Sequence, residues 1–280
     1  MNITPLNISN ADTFENAYIL SHNGLGDNIV MNGAINFLLN YYNNVYFLVK
    51  DIYYDQINYL YCDNSNVIVI NFDSKNENDS CYNILCDKYK NNDIFISGSH
   101  KSYLKSQITN DKLKMYIRNN KYNLPERFQF ITMFYNDIGL DLSIFVDYFN
   151  IDKKDYKQIY QPISNYNIIF IHSSSSNVEM DFSSIINKYL NIDNILIICA
   201  NKNVYSNDNN KFDIAEKYVF LPTVFCYTEV IKNSIEIYAS DSCISCIIIP
   251  FFLKKQLKCN YINIFNRETN EKIHFSDFVI

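Results

Sequence analysis

Tryptophan is absent, arginine occurs only at 118, 127 and 267, and glycine and proline number five each in 280 residues. So few glycines and prolines exclude collagen-like and Pro/Gly-rich low-complexity architectures. The longest unbroken apolar run, Cys246 to Leu253, has eight residues with Pro250 inside it. A membrane-spanning helix needs ~20, so none is expected. Positive charge is also short: 24 Lys and Arg face 30 Asp and Glu, for a net charge of −6. That balance argues against a chain whose main work is neutralising DNA or RNA phosphates, and no nucleic-acid partner is expected. The first residues, MNITPLNISNADTFENAY, lack the basic and apolar regions of a signal peptide, so a cytoplasmic location is expected.

The chain is 48% hydrophobic and 19% charged, enough apolar surface to fold without disulfide or metal staples. Its length suits two domains of ~100 to 200 residues. Five of the eight cysteines lie in or beside apolar runs such as LIICA and CISCIIIP, which predicts reduced, buried thiols. The C-x-x-C of Cys243 and Cys246 has no second pair and no neighbouring His, so a zinc site is not expected. The abundant Asn, Ile, Tyr and Lys fit an AT-rich genome and report codons rather than chemistry.

Strand-like and helix-like segments alternate through both halves. In the first, AYIL (17–20), VYFLV (45–49), VIVINF (67–72) and DIFIS (93–97) read as strands, and 27–42, 51–61, 79–90 and 125–138 as helices, the last closed by Gly139. The polar stretch 150–165, with Pro162, reads as the boundary between domains 1–150 and 151–280. Beyond it, strands are expected at 167–173, 194–200, 217–222, 235–240 and 259–265, and helices at 178–190, 226–234 and 241–253. Strands separated by helices imply parallel sheets. The expected fold is therefore α/β, with two Rossmann-like domains facing across a cleft.

Three polar turns at expected strand ends carry the candidate chemistry. The first is S21-H22-N23-G24-L25-G26-D27-N28. Gly24 and Gly26 are expected to form a tight left-handed turn at a ligand, with Asp27 in the first turn of the following helix, where an ordinary N-cap is the competing account. His22 either orients Asp27, contacts acceptor, or is structural, and Asn23 lines the same turn. The second is His172, Ser173, Ser174, Ser175 and Ser176, after the strand NIIFI. Hydroxyls and amides leading into a helix suit phosphate oxygens, whereas a solvated serine linker is the bland alternative. The third is Ser240, Asp241 and Ser242 before an apolar helix, a pattern an N-cap box also produces. Glu229 opens a helix, where it either reaches a ribose or simply complements the helix dipole.

The G-L-G-D-x-I turn, the strand followed by I-H-x-S-S, and the late S-D-S turn resemble the GT-B glycosyltransferases. Within them the chain is most similar to the ADP-heptose:lipopolysaccharide heptosyltransferase group. The resemblance implies a hexosyl- or heptosyl-type transfer from a nucleotide-sugar donor to a glycan or glycolipid acceptor. It places the acceptor on 1–150 and the donor on 151–280. It implies Asp27 as the general base, His172 to Ser176 against donor phosphates, and Asp241 and Ser242 supplying amides to the diphosphate. Two departures stand out: Asn177, Val178, Glu179 and Met180 where the family carries a basic residue, and Cys246 in place of its His. An inverting transfer at such a site needs a carboxylate and fixed positive potential. The sequence holds no D-x-D flanked by apolar residues, no dinucleotide fingerprint (Ile29 stands where the third Gly would be) and no P-loop. Metal-independent chemistry with no cofactor is therefore expected. Two other readings stay open: an inactive GT-B-like binding or scaffold protein, and a GT-B-like nucleotide-sugar epimerase. Residues 98–127 collect seven Lys and Arg against Asp111 and Glu126. They are either a solvated loop or a contact for an anionic glycan, glycolipid or membrane surface.

Overall fold

The computed structural model describes residues 15–21, 24–88, 91–98, 126–175, 178–259 and 261–273. His22, Asn23 and Ser176 lie outside them, as do residues 99–125 of the basic segment. The chain divides into two compact units, with the boundary between Asn150 and Ile151.

The first unit is built on four parallel strands, β1 (Asn16–Leu20), β2 (Asn44–Lys50), β3 (Val67–Phe72) and β4 (Asp93–Ile96), in the order β3-β2-β1-β4. Between them run helices α1 (Leu25–Val30), α2 (Asn32–Leu38), α3 (Tyr54–Tyr61) and α4 (Glu77–Leu85). β1 is buried at four of its five positions, the continuous apolar run of a strand covered on both faces rather than the alternation of a half-exposed one. Two further helices follow among the described residues, α5 (Glu126–Asp137) and α6 (Ser143–Asp147). The buried Tyr135 hydroxyl donates to Val30 O at 2.8 Å and accepts the Ala34 amide at 3.1 Å, tying α5 to the α1–α2 junction. Gly33 makes this possible, since a Cβ there would stand 2.8 Å from the Tyr135 hydroxyl oxygen and 2.6 Å from Ile144 O of α6. Past α5, Gly139 takes a left-handed φ of 73° and the Leu140 amide bonds Tyr135 O at 2.9 Å, closing the helix end.

The second unit opens with helix α7 (Lys154–Tyr160), where a polar linker is expected from the sequence. Tyr156 and Ile163 are fully buried there, so two apolar anchors suffice to fold an otherwise polar segment onto its unit. Its sheet contains β5 (Asn167–His172), β8 (Ile195–Cys199), β9 (Glu236–Ser240), β10 (Tyr261–Phe265) and a short β11 (Lys272–Ile273). The order is β11-β10-β9-β5-β8, parallel except for β11. A separate two-residue hairpin pairs β6 (Ser174–Ser175) with β7 (Val178–Glu179). The helices are α8 (Ser183–Tyr189), α9 (Phe212–Glu216), α10 (Thr228–Asn233) and α11 (Cys243–Leu253).

Two expectations fail here. The helix expected from 178 begins only at Ser183, because residues 178 and 179 are held in the hairpin. The strand expected at 217–222 is absent: α9 ends at Glu216, residues 217–220 form a turn, and Phe220 stands at φ 50°. An apolar run of that length does not by itself distinguish a strand from an apolar turn. All eight cysteines are free thiols, with Cys81, Cys199, Cys226 and Cys246 buried.

Candidate functional site

In each sheet the first strand of the unit lies between two neighbours, β1 between β2 and β4, and β5 between β8 and β9. Loops leaving adjacent parallel strands diverge at such a point, and open α/β sheets bind their ligands at the carboxyl ends there.

In the second unit β5 and β9 run side by side with His172 paired to Ala239, so both polar turns leave the sheet together. Ser242 caps α11, and its Oγ lies 3.3 Å from His172 Nδ1. The same oxygen accepts the Ile244 amide at 3.4 Å, and the Ser242 amide donates to Ser245 Oγ at 3.2 Å. Ser245 Oγ in turn lies 2.8 Å from Asp241 Oδ1 and 2.6 Å from Ser242 O. Ser240 Oγ donates to Ser174 O at 2.8 Å, fastening the hairpin to β9. His172 is 8% exposed, and burial lowers its pKa to about 4. The imidazole is therefore neutral at pH 7, offering one N–H donor and one acceptor nitrogen rather than a charge.

The serine run does not lead into a helix with free amides. The chain turns back through the β6–β7 hairpin, and Met180 donates its amide to Ser173 O at 2.9 Å. Asn201 Oδ1 accepts the Ser173 and Ser174 amides at 2.9 and 3.3 Å, and lies 3.3 Å from Ser173 Oγ. The late turn is likewise engaged: Asp241 donates its amide to Phe265 O at 2.8 Å, and Ser245 donates to Ser242 O at 3.1 Å. Buried amides find partners wherever chemistry allows, and here they come from Asn201, two residues past β8, from Phe265 of β10 and from within the late turn. The polar side chains at this edge are then the hydroxyls of Ser173, Ser175 and Ser242 and the His172 ring, of which Ser173, Ser175 and His172 are buried. Ser175 Oγ is buried and has no hydrogen-bond partner in the structure.

Glu229 is the second residue of α10 and pairs with Lys232 at 3.5 Å. Lys232 also bonds Asp152. Burial first, and then the Glu229 charge, push the Tyr160 phenol up. The structure thus joins Glu229 to the α7–α10 face, and the contacts described do not link it to His172 or Ser242.

In the first unit the turn after β1 is built differently. Gly24 is the N-cap of α1, with φ −100° and ψ 162°, extended backbone open to any residue. Gly26 lies inside the helix. The expected left-handed turn is therefore absent, and the left-handed glycines among the described residues are Gly98 and Gly139. What position 24 demands is room, because a Cβ would meet Asp27 Oδ2 at 3.0 Å. Asp27 is the third helical residue, half-buried, and its Oδ2 accepts the Gly24 amide at 2.7 Å. This is the carboxylate half of a capping box, with glycine contributing no side chain in return.

Asn28, buried beside Asp27, donates from Nδ2 to Gly24 O at 2.9 Å and accepts the Ser21 hydroxyl at 3.2 Å. Asn28 closes the first motif with no role assigned to it, and Asn201 lies outside all three motifs. Asn201 follows LIICA as His172 follows NIIFI, and that position at the end of a buried strand is the signal that marks it. Ser97 directly follows β4 beside β1, donating its amide to Leu20 O at 2.9 Å, while its buried Oγ has no partner in the structure. Among the described residues no group of three or more His, Cys, Asp or Glu is placed to hold a metal ion. No described helix is long and apolar enough to cross a membrane.

No family model and no curated protein matches the chain by sequence. Solved structures do match by fold. The glycosyl transferase family 9 protein of Veillonella parvula superposes with a TM-score of 0.55 at 10% identity, over 85% of this chain and 78% of that one. The ADP-heptose LPS heptosyltransferase II of E. coli gives 0.54 at 12% identity, over 95% and 94%. At such identity the likeness is one of fold: two α/β units with parallel sheets, matching GT-B glycosyltransferases.

Proposed function

We propose that this protein is a GT-B glycosyltransferase that moves a hexosyl or heptosyl group from a nucleotide-sugar donor to a glycan or glycolipid acceptor. The observation that supports it most is the placement of polar turns at the divergent strand pair of each sheet, on a GT-B-like chain. In this reading the second unit takes the donor, with His172, Ser173, Ser175 and Ser242 supplying uncharged donors to phosphate oxygens. The first unit takes the acceptor. The Asp27 carboxylate removes the proton of the acceptor hydroxyl, whose oxygen attacks the anomeric carbon from the face opposite the leaving group. The carbon–oxygen bond to phosphate breaks, and the nucleoside diphosphate departs with the electron pair. Configuration inverts, and no metal is called upon. The basic segment 98–127 is the candidate contact for an anionic acceptor or membrane surface.

A specific observation favours a second reading, a GT-B-like protein that binds without catalysis. No cation partners His172 or Ser242 in the described contacts, and the Cys246 thiol, at the position of the family's His, donates to Ser242 O at 3.6 Å. Calorimetry with ADP, UDP, GDP and CDP, followed by product analysis on the matching nucleotide sugars with a glycan panel, tests both. The transferase reading expects one nucleotide to bind and a new glycosidic bond to form. Binding without turnover favours the second reading, an epimerised sugar reveals an epimerase, and binding of none overturns the donor assignment.

A further inference from the structure

The C-x-x-C that the proposed reaction leaves unused has a definite place in the fold. Cys243 is the first residue of α11 and Cys246 the fourth, so both lie in its first turn, directly after the polar turn that follows β9. Helix geometry sets residues three apart at about 5 Å between Cα atoms, inside the roughly 4.4 to 6.8 Å that a disulfide spans. Access is unequal: Cys243 is half-buried at the helix start, whereas Cys246 is 1% exposed. Thiol–disulfide exchange uses that asymmetry, with a reachable sulfur to attack and a sheltered one to resolve. A C-x-x-C at a helix start in an α/β unit is also the arrangement in which thiol redox chemistry is expected.

Two further features bear on the same turn. Cys246 Sγ donates to Ser242 O at 3.6 Å, and that carbonyl also accepts the Ser245 amide at 3.1 Å and the Ser245 hydroxyl at 2.6 Å. Four residues on, Pro250 stands inside the helix and has no amide to give Cys246 O. The first turn is thus joined to the rest of α11 by one backbone bond fewer than a regular helix supplies. Cβ atoms three apart on a helix stand about 5–6 Å from each other, against about 3.5–4.5 Å in a disulfide. Closing the bond therefore draws the turn in by about 1–2 Å and takes Cys246 Sγ off Ser242 O. Ser242 caps that turn, and its Oγ lies 3.3 Å from His172 Nδ1.

We propose that Cys243 and Cys246 are a thiol–disulfide exchange site whose oxidised form moves Ser242 away from His172. The substrate class is a low-molecular-weight disulfide such as oxidised glutathione. The Cys243 thiolate attacks one sulfur of that disulfide, whose S–S bond breaks and releases one glutathione thiolate. Cys246, its proton given to solvent, then attacks Cys243 Sγ and expels the second. Two protein thiols are oxidised, one external disulfide is reduced, and the two protons end on the two departing thiolates. An excess of a small thiol such as dithiothreitol reverses the sequence. The exchange stands apart from the donor reading of the second unit, and only its effect on nucleotide affinity rests on that reading.

Lys232 and Lys254 bracket the pair, so one tryptic peptide, 233–254, carries both cysteines and no other. After treatment with oxidised glutathione and alkylation in denaturant, mass spectrometry should find that peptide two hydrogens lighter and unalkylated. Cys246→Ala should retain glutathione on Cys243, and Cys243→Ser should leave Cys246 unmodified by glutathione. The ring signals of His172 in nuclear magnetic resonance, assigned by their loss in His172→Asn, should shift on oxidation and return with dithiothreitol. Whichever of ADP, UDP, GDP and CDP binds best should bind the oxidised form about 3- to 10-fold more weakly, the worth of one hydrogen bond. A wild-type peptide that stays fully alkylated, or glutathione on Cys246 in Cys243→Ser, overturns the exchange site. Unmoved His172 signals in the oxidised protein overturn the displacement of Ser242. Equal nucleotide affinity in the two forms breaks the link to the donor site. Failure of the reduced wild type to bind any nucleoside diphosphate removes the donor reading alone, because the peptide masses and ring signals still decide the exchange site.

Discussion

The two units solve the same topological problem with opposite chemistry. Each sheet sends its first strand between two parallel neighbours, and each turn at that point is polar. In the first unit the turn carries a charge: Asp27, half-buried, capping a helix that begins at a glycine. In the second, residues 172–175 carry none, since His172 is buried and neutral and the Ser173 and Ser174 amides are held by Asn201, while the Asp241 carboxylate of the neighbouring turn lies 2.8 Å from Ser245 Oγ. A carboxylate can take a proton, and a neutral hydroxyl-rich turn can hold oxygens without attracting them from afar.

The largest expected effect breaks the first half of that contrast. Asp27→Asn keeps an oxygen for the Gly24 amide but cannot accept a proton, so transfer should fall by roughly 10² to 10⁴ while the melting temperature and nucleotide affinity stay put. Full activity in that variant would leave Asp27 as a cap only.

The second half is tested by pH. His172 titrates near 4 in the folded chain against an ordinary 6.5, so between those values the unfolded chain binds more protons and stability rises with pH. The contribution is complete above pH 6.5 and drains away as pH falls toward 4, by up to about 3 kcal/mol. Urea unfolding at pH 4.5 and 7 should show the loss, and His172→Asn should shrink the difference. An unchanged slope would mean that the ring is solvated.

Gly33→Ala probes the packing behind the first turn. Its Cβ would meet the Ile144 carbonyl at 2.6 Å and Phe145 Cα at 2.9 Å, both backbone, so about 1 to 3 kcal/mol of overpacking should outweigh alanine's better helix propensity. A melting temperature equal to wild type would show that α2 and α6 yield.

The smallest effect separates the two caps. Ser242→Ala removes a capping hydroxyl and should cost about 1 kcal/mol in urea unfolding, whereas the first unit's cap is already glycine. No loss would show that His172 and Ser245 hold the turn without it.

The local grammar of the chain was legible in the residues. The strands β1, β2, β3 and β4 fall on the apolar runs that announce them, and α11 follows CISCIIIP. The candidate turns at Asp27, His172 and Ser242 were also visible as polar breaks at strand ends. Less visible was how each turn is built: Gly24 reads as a left-handed glycine but is extended, and the serine run reads as a helix start but is a hairpin.

What the sequence by itself determined is the alternation of strand and helix, and with it parallel sheets whose polar turns gather at one edge. Hydrophobic period and turn residues act over a few neighbours, and so they survive in a linear reading. Only the tertiary structure decided which amides are already taken, and that Asn201 reaches back 28 residues to the serine loop. Those outcomes depend on groups brought together by sheet order rather than by sequence, and a hydrogen-bond donor satisfied by a distant strand leaves no mark on its own neighbours in the chain.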